Sequence, residues 1–151
     1  MPIISKSAKI ALATIVALTA GSAVVTAQDA IAERKAAMKS VGGAMRTLVG
    51  FARGQADYDA AAALAAFTTM NEVAGRYGDL FPEGSEAGGD TKAAPAIWTD
   101  RAGFDAEVAK FQVNTASAID AAPADVDAFR AVFGPVGASC GSCHEKYQLS
   151  N

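Results

Sequence analysis

Between residues 31 and 48 the chain keeps a helical beat. Ile31, Arg34, Met38, Val41, Met45 and Leu48 are spaced three and four apart and fall on one stripe. That is the period of a helix laying one face into a bundle seam. No alternating strand pattern persists anywhere after Gln28, alanine is abundant and β-branched residues are scattered, so the chain reads as all-α. Four helices are predicted. The first runs from about Asp29 to Arg53, with Gly54 as a stop signal. Asp57 can cap the second, which reaches about Tyr77 and ends at Gly78. A long connection rich in glycine and acidic residues covers Leu80 to about Pro95. Thr99 or Asp100 can start the third helix, which ends before Pro123, and Asp125 can start the fourth. Pro135 should kink or loosen that last helix, because it removes a backbone donor. Short connections between the first and second helices, and between the third and fourth, favour antiparallel neighbours in an up-down-up-down four-helix bundle.

The N-terminal pattern differs. Lys6 and Lys9 precede an apolar run from Ile10 to about Ala20, and Val25-Thr26-Ala27 offers small residues for a peptidase. This is the layout of a secretory signal peptide over residues 1–27, leaving 28–151 as one bundle domain. The run is short for a membrane span of about twenty residues. Cleavage would remove Lys6 and Lys9, so a net charge of −3 becomes −5. That balance argues against a nucleic-acid partner. It is compatible with a basic surface on a redox partner.

Candidate chemistry is concentrated in five residues. Cys140-Gly141-Ser142-Cys143-His144 holds both cysteines and the single histidine of the chain. C-x-x-C-H is an attachment sequence for c-type haem, with a thioether from each thiol and an iron ligand from the imidazole. A structural zinc site would need a fourth ligand. A thioredoxin-like motif expects a βαβ setting, and a disulfide here would close a very short loop and leave the histidine without a task. Export fits haem attachment, since covalent attachment takes place outside the bacterial cytoplasm; the expected address is the periplasm. No acid, base or nucleophile constellation suggests an enzyme. Asp57 with Asp59 and Asp125 with Asp127 read as caps and solvated faces.

Two residues of the first helix extend the reading. A guanidinium on a core stripe needs an anion or a route to water, so Arg34 either meets a haem propionate or snorkels from a frayed helix start. One turn on, Met38 is placed to offer its thioether sulfur as the sixth iron ligand. Gly42 and Gly43 beyond it would let a flat macrocycle approach the backbone. A methionine on such a stripe is also an ordinary gap filler, and Met45 and Met70 are rivals. Trp98 reads as an aromatic plug where the long connection meets the bundle rather than as an electron conduit.

Further residues carry a resemblance. Gly88-Gly89-Asp90, then Ile97-Trp98-Thr99-Asp100 and Phe104, then Phe133-Gly134-Pro135-Val136-Gly137 running into the attachment motif, and Tyr147 after it, resemble the class II c-type cytochromes, the cytochrome c-prime group. Gly54 to Ala60, with Tyr58-Asp59, looks like that family's short first turn. The resemblance covers nearly the whole chain after the leader. It implies a periplasmic four-helix bundle with one haem c, attached through Cys140 and Cys143 and ligated by His144. Aligning Arg34 with the family's arginine puts Met38 at the position that separates its two branches. A methionine ligand there implies the low-spin, c-556-like branch and a one-electron carrier serving periplasmic or membrane-bound redox proteins. An open position implies a high-spin haem that binds nitric oxide or another diatomic gas. Members commonly dimerise through the first two helices, and the Ala-rich faces here allow it. Gln148 departs from the basic residue usual after the motif, with Lys146 nearby but not equivalent.

Overall fold

The computed structural model describes residues 26–150. The leader reading falls largely on residues 1–25, outside the described residues; Thr26 and Ala27 begin the first helix. Five helices follow: α1 (Ala27–Ala52), α2 (Ala60–Tyr77), α3 (Ala96–Thr99), α4 (Arg101–Ala121) and α5 (Val126–Tyr147), with a 3-10 turn at Gly78–Leu80. The four long helices form a ring in which α1 packs on α2, α2 on α4, α4 on α5 and α5 on α1. The expected four-helix bundle is therefore present, with α3 as an added single turn inside the long connection.

Each long helix starts on a side-chain cap that satisfies amides no helical carbonyl can reach. Thr26 and Asp29 form a reciprocal capping box on α1. Asp59 accepts from Ala62 N at 3.0 Å, Asp100 from Gly103 N at 3.3 Å, and Asp125 from Asp127 and Ala128. Asp59, not Asp57, caps α2: the extended backbone at 59 sets its carboxylate over the first amides, two residues later than the sequence suggested. Gly78 also departs from expectation. Its backbone is right-handed, so it carries the chain into the 3-10 turn instead of stopping the helix in a left-handed cap. Pro135 lies inside an uninterrupted α5. Asn114 of α4 and Ser139 both donate to the Pro135 carbonyl, at 3.2 and 3.1 Å.

The α1 stripe is seated as its period requires. Ile31, Arg34, Val41 and Leu48 are buried, with Ala30, Ala37 and Phe51. Met38 and Met45 sit at the flank, half-buried. At the turn end, Phe51, Tyr58, Phe67, Phe129 and Phe133 fill the space between helices with ring centroids 5.3–6.1 Å apart. There the Tyr58 hydroxyl donates to Pro123 O at 2.6 Å and joins the two short turns. At the other end the long connection is fastened to the C-terminus: Ala94 N donates to Tyr147 O and Leu149 N to Lys92 O. The Trp98 ring stands edge-on to Phe81, 5.9 Å away, and donates to Pro82 O, which is the plug expected of it.

Candidate functional site

A cavity of about 440 Å3 opens at the end of the bundle opposite the aromatic turn cluster. That size suits a cofactor or a small ligand. Its inner walls are mainly apolar, including Val41, Val73, Ile97, Phe104 and Phe111. Cys140, Cys143 and His144 of α5 line it, as do Met38 and Arg34 of α1. The structure thus brings all five sequence-predicted site residues to one cavity. Met45 and Met70 are not among its lining residues; Met70 is fully buried in the core. Gly42 and Gly43 do not line it either, against expectation. A Cβ at either would meet the Arg46 side chain at ordinary contact distance.

Arg34 does not snorkel. It is 3% exposed and held at its guanidinium by the long connection: one nitrogen donates to Ser85 Oγ at 3.0 Å, another to Ser85 O at 2.7 Å and to Thr91 Oγ1 at 2.6 Å. The Phe81 and Trp98 rings cover it at 4.9 and 5.7 Å. Burial lowers its pKa, opposed in part by Tyr77 and Glu86. An arginine stays charged in a protein, so a fixed positive group stands in the cavity wall. Gly88, Gly89 and Asp90 all take left-handed backbone (φ 98°, 53° and 54°), and this tight turn delivers Thr91 to Arg34. Those three residues stand out in the sequence; their neighbours Ser85 and Thr91 do not. Nothing in a lone serine and a lone threonine, 51 and 57 positions away, could have marked them as partners of the arginine.

The attachment motif is oriented from α4. Ser142, between the two cysteines, donates to Glu107 Oε2 at 2.6 Å, and Lys110 reaches both Ser142 and Glu107. Burial raises both thiol pKa values. For Cys143, Glu107 and Cys140 add to burial and push it up to about 11. Redox-active C-x-x-C motifs depend on a lowered thiol pKa; here burial shifts both thiols the other way. Tyr77 also faces the cavity, and burial, with Cys143, pushes its phenol up to about 12. Lys146 turns away to Asp100, while Gln148 lines the cavity.

These residues fit a haem. Two thiols and an imidazole share one turn of helix, a thioether comes from the facing helix, the walls are apolar for the macrocycle, and cations are at hand for its carboxylates. A four-helix bundle carrying such a site belongs to the c-type cytochromes. The Cytochrome C' family model matches residues 29–148. The chain is 39% identical over 119 residues to a cytochrome c-556 of Agrobacterium tumefaciens (strain II Chrys), covering 79% of this chain and 96% of the relative. It is 35% identical over 142 residues to a cytochrome c' of Rhodopseudomonas palustris, covering 93% and 97%. The solved cytochrome c' from Rhodopseudomonas palustris superposes with a TM-score of 0.79 at 32% identity, over 82% of this chain and 98% of that one. The protein belongs to the cytochrome c' family. Its cofactor is a covalently bound haem c, and its two cysteines, Cys140 and Cys143, stand in the matching attachment motif.

Proposed function

We propose that this cytochrome is a low-spin, one-electron carrier whose iron would be held by His144 of α5 and Met38 of α1. The observation that carries the reading is positional. Of Met38, Met45 and Met70, Met38 alone lines the cavity, and it does so from α1 while His144 lines it from the neighbouring α5. Bound haem supplies the one-electron couple, and a soft thioether ligand raises its potential relative to purely nitrogen ligation. Met38 and His144 would together hold the iron and leave it no position for a substrate. Arg34, already fixed by Ser85 and Thr91, holds positive charge toward a propionate. The apolar walls keep water from the ring. The chain acts as a carrier, not an enzyme. Export with cleavage after Ala27 would deliver it to the periplasm and its redox partners. It would also remove Thr26 and with it the capping box of α1, so that this cap belongs to the uncleaved chain. Among the described residues no helix is long and apolar enough to cross a membrane.

The second reading is the open, high-spin site that takes nitric oxide or a similar gas. Relatives of both names, cytochrome c-556 and cytochrome c', match the chain. Optical spectra of the reduced protein with and without carbon monoxide separate the two. The carrier reading expects a low-spin spectrum and sluggish reaction with carbon monoxide, and Met38→Leu should open a high-spin, gas-binding site. A five-coordinate spectrum in the unmodified protein, unchanged by Met38→Leu, would remove Met38 from the iron.

A further inference from the structure

We propose that the mouth of the cavity is a docking surface for an acidic face of another electron-transfer protein. This rests on the electron-carrier reading above, and it runs against the chain's overall charge. The mouth is formed by the exposed residues that line the cavity. Its charged side chains are Lys35 and Lys39 of α1, Asp90, and Lys92 of the long connection. Three lysines therefore stand at the rim with Asp90, on a chain whose acidic residues outnumber its basic ones 16 to 13. The other carboxylate of the lining, part-exposed Glu107, is paired with Lys110.

The arrangement is not what stability alone would select. Lys35 and Lys39 are four apart on one helix face, where like charges repel. Among the described residues neither they nor Lys92 has a carboxylate within ion-pair distance, whereas Lys110 and Lys146 do. Lys35 is held instead by the Gly89 carbonyl at 3.0 Å, which keeps its ammonium at the rim. Helix α1 also sorts its charges. At 100° per residue, Lys35 and Lys39 lie about 40° apart on the side that lines the cavity, and Asp29 and Glu33 lie roughly 80–160° further round the helix. At the far end of the bundle, Asp57, Asp59, Asp120, Asp125 and Asp127 gather around the two short turns with only Arg53 and Arg130 against them. The cavity end has its own carboxylates outside the mouth, among them Asp79, Glu83, Glu86, Asp100, Asp105 and Glu145, so the positive balance is confined to the rim itself. An acidic partner would be drawn to the unpaired lysines of the rim. Such a field sets the orientation of encounter and its rate more than final affinity.

The competing use of these lysines is internal: pairing with two haem propionates. Arg34 lines the same cavity as a further cation, and with it three lysines are more than two propionates require.

The test uses the holoprotein and two kinds of probe. Oxidised plant-type ferredoxin, a small acidic electron-transfer protein, is titrated while backbone amide shifts are followed. Shifts should gather at residues 35–39 and 90–93 and vanish with added salt. The double variant Lys39→Glu/Lys92→Glu should weaken binding at least about tenfold, while Asp57→Lys at the far end leaves it unchanged. Separately, the reduced protein is oxidised by ferricyanide or by a tripositive cobalt phenanthroline complex, one electron leaving the protein and one metal complex being reduced per event. Raising salt from about 10 mM to about 300 mM should slow the anionic oxidant at least about threefold and not slow the cationic one. Opposite slopes, those expected of a uniformly negative molecule, would overturn the proposal. So would the absence of any slope, which would mean that the propionates cancel the lysines. Binding to phosphatidylglycerol vesicles without binding to ferredoxin would overturn it in favour of a membrane surface. Every one of these readouts is independent of whether Met38 ligates iron, so a failed ligand assignment and a failed docking surface are told apart.

Discussion

The two ends of this bundle are built from the same four helices and solve the core problem in different ways. At the turn end, five aromatic rings fill the space, and Phe67 and Phe129 are wholly buried. At the other end, Phe81, Phe104 and Tyr147 pack edge to face along one wall, with centroids 4.8 and 5.4 Å apart. The rest of that space is a cavity of about 440 Å3. That cavity opens to solvent at its mouth, so without an occupant its apolar walls would be left against water. One end is thus a core closed by side chains, and the other is a core left for the haem to complete.

Removing the haem should give the largest effect and fall on one end only. A Cys140→Ala/Cys143→Ala variant should lose covalently retained haem on a denaturing gel. It should also lose about 5 kcal/mol or more of unfolding free energy, since apolar walls are then exposed to water. Hydrogen exchange should rise first at the cavity end. Equal protection at both ends of the variant would break the comparison.

Phe129→Ala does the converse. It deletes a fully buried ring in contact with Phe51, Tyr58, Phe67 and Phe133, and should cost about 3–5 kcal/mol in a denaturant titration. The haem spectrum should be unaltered. A shifted Soret band in that variant would mean the two ends are mechanically coupled through α5.

Arg34→Ala is expected to cost less, about 1–3 kcal/mol, because it strands the Ser85 carbonyl and loosens the hydrogen bonds that hold Thr91. The loss should show as faster exchange in residues 82–93 while the turn end stays protected. Protection unchanged in that segment would mean that the fastening of Ala94 and Leu149 to the C-terminus suffices without the arginine.

The contrast between the ends also explains what could be read from the sequence. Local signals were legible. The three-and-four spacing of α1, the acidic caps of the third and fourth bundle helices and the five-residue attachment motif each lie within a few turns of chain, and each held. Arg34 was legible as an anomaly, a charge on a core stripe, but its partners were not: a hydrogen bond across more than fifty residues leaves no periodic trace. The same is true of Lys92, which joins Lys35 and Lys39 only because a left-handed turn at Gly88-Gly89-Asp90 returns the connection to α1. Asp57 and Asp59 were indistinguishable as caps by residue type, and backbone conformation made the choice.

The smallest expected effect separates the ends by pH. At the turn end Asp125 accepts only from backbone amides. At the cavity end Asp100 caps α4 and also accepts from Lys146 and Tyr147, tying the start of α4 to the end of α5. Gly103 makes room for this cluster, since a Cβ there would collide with both the Asp100 carboxylate and the Tyr147 hydroxyl. The hydrogen bonds from Lys146, then from Tyr147, lower the Asp100 pKa from its ordinary 3.8. A depressed folded-state value means the stabilisation is complete above about pH 4 and lost as pH falls through the lowered value. Lys146 gives the mirror image: its hydrogen bond to Asp100 raises it to about 12 from 10.5, so that contribution holds below 10.5 and fades as pH climbs through 12. Asp100→Asn keeps a capping oxygen and removes the charge. In denaturant titrations the variant should therefore lie below the parent at neutral pH, and the gap should close on acidification below the ordinary carboxylate range. Both partners are exposed, so added salt should narrow it as well. A gap that persists at acid pH would mean that the substituted amide fails as a cap and that the ion pair contributes nothing separable from it.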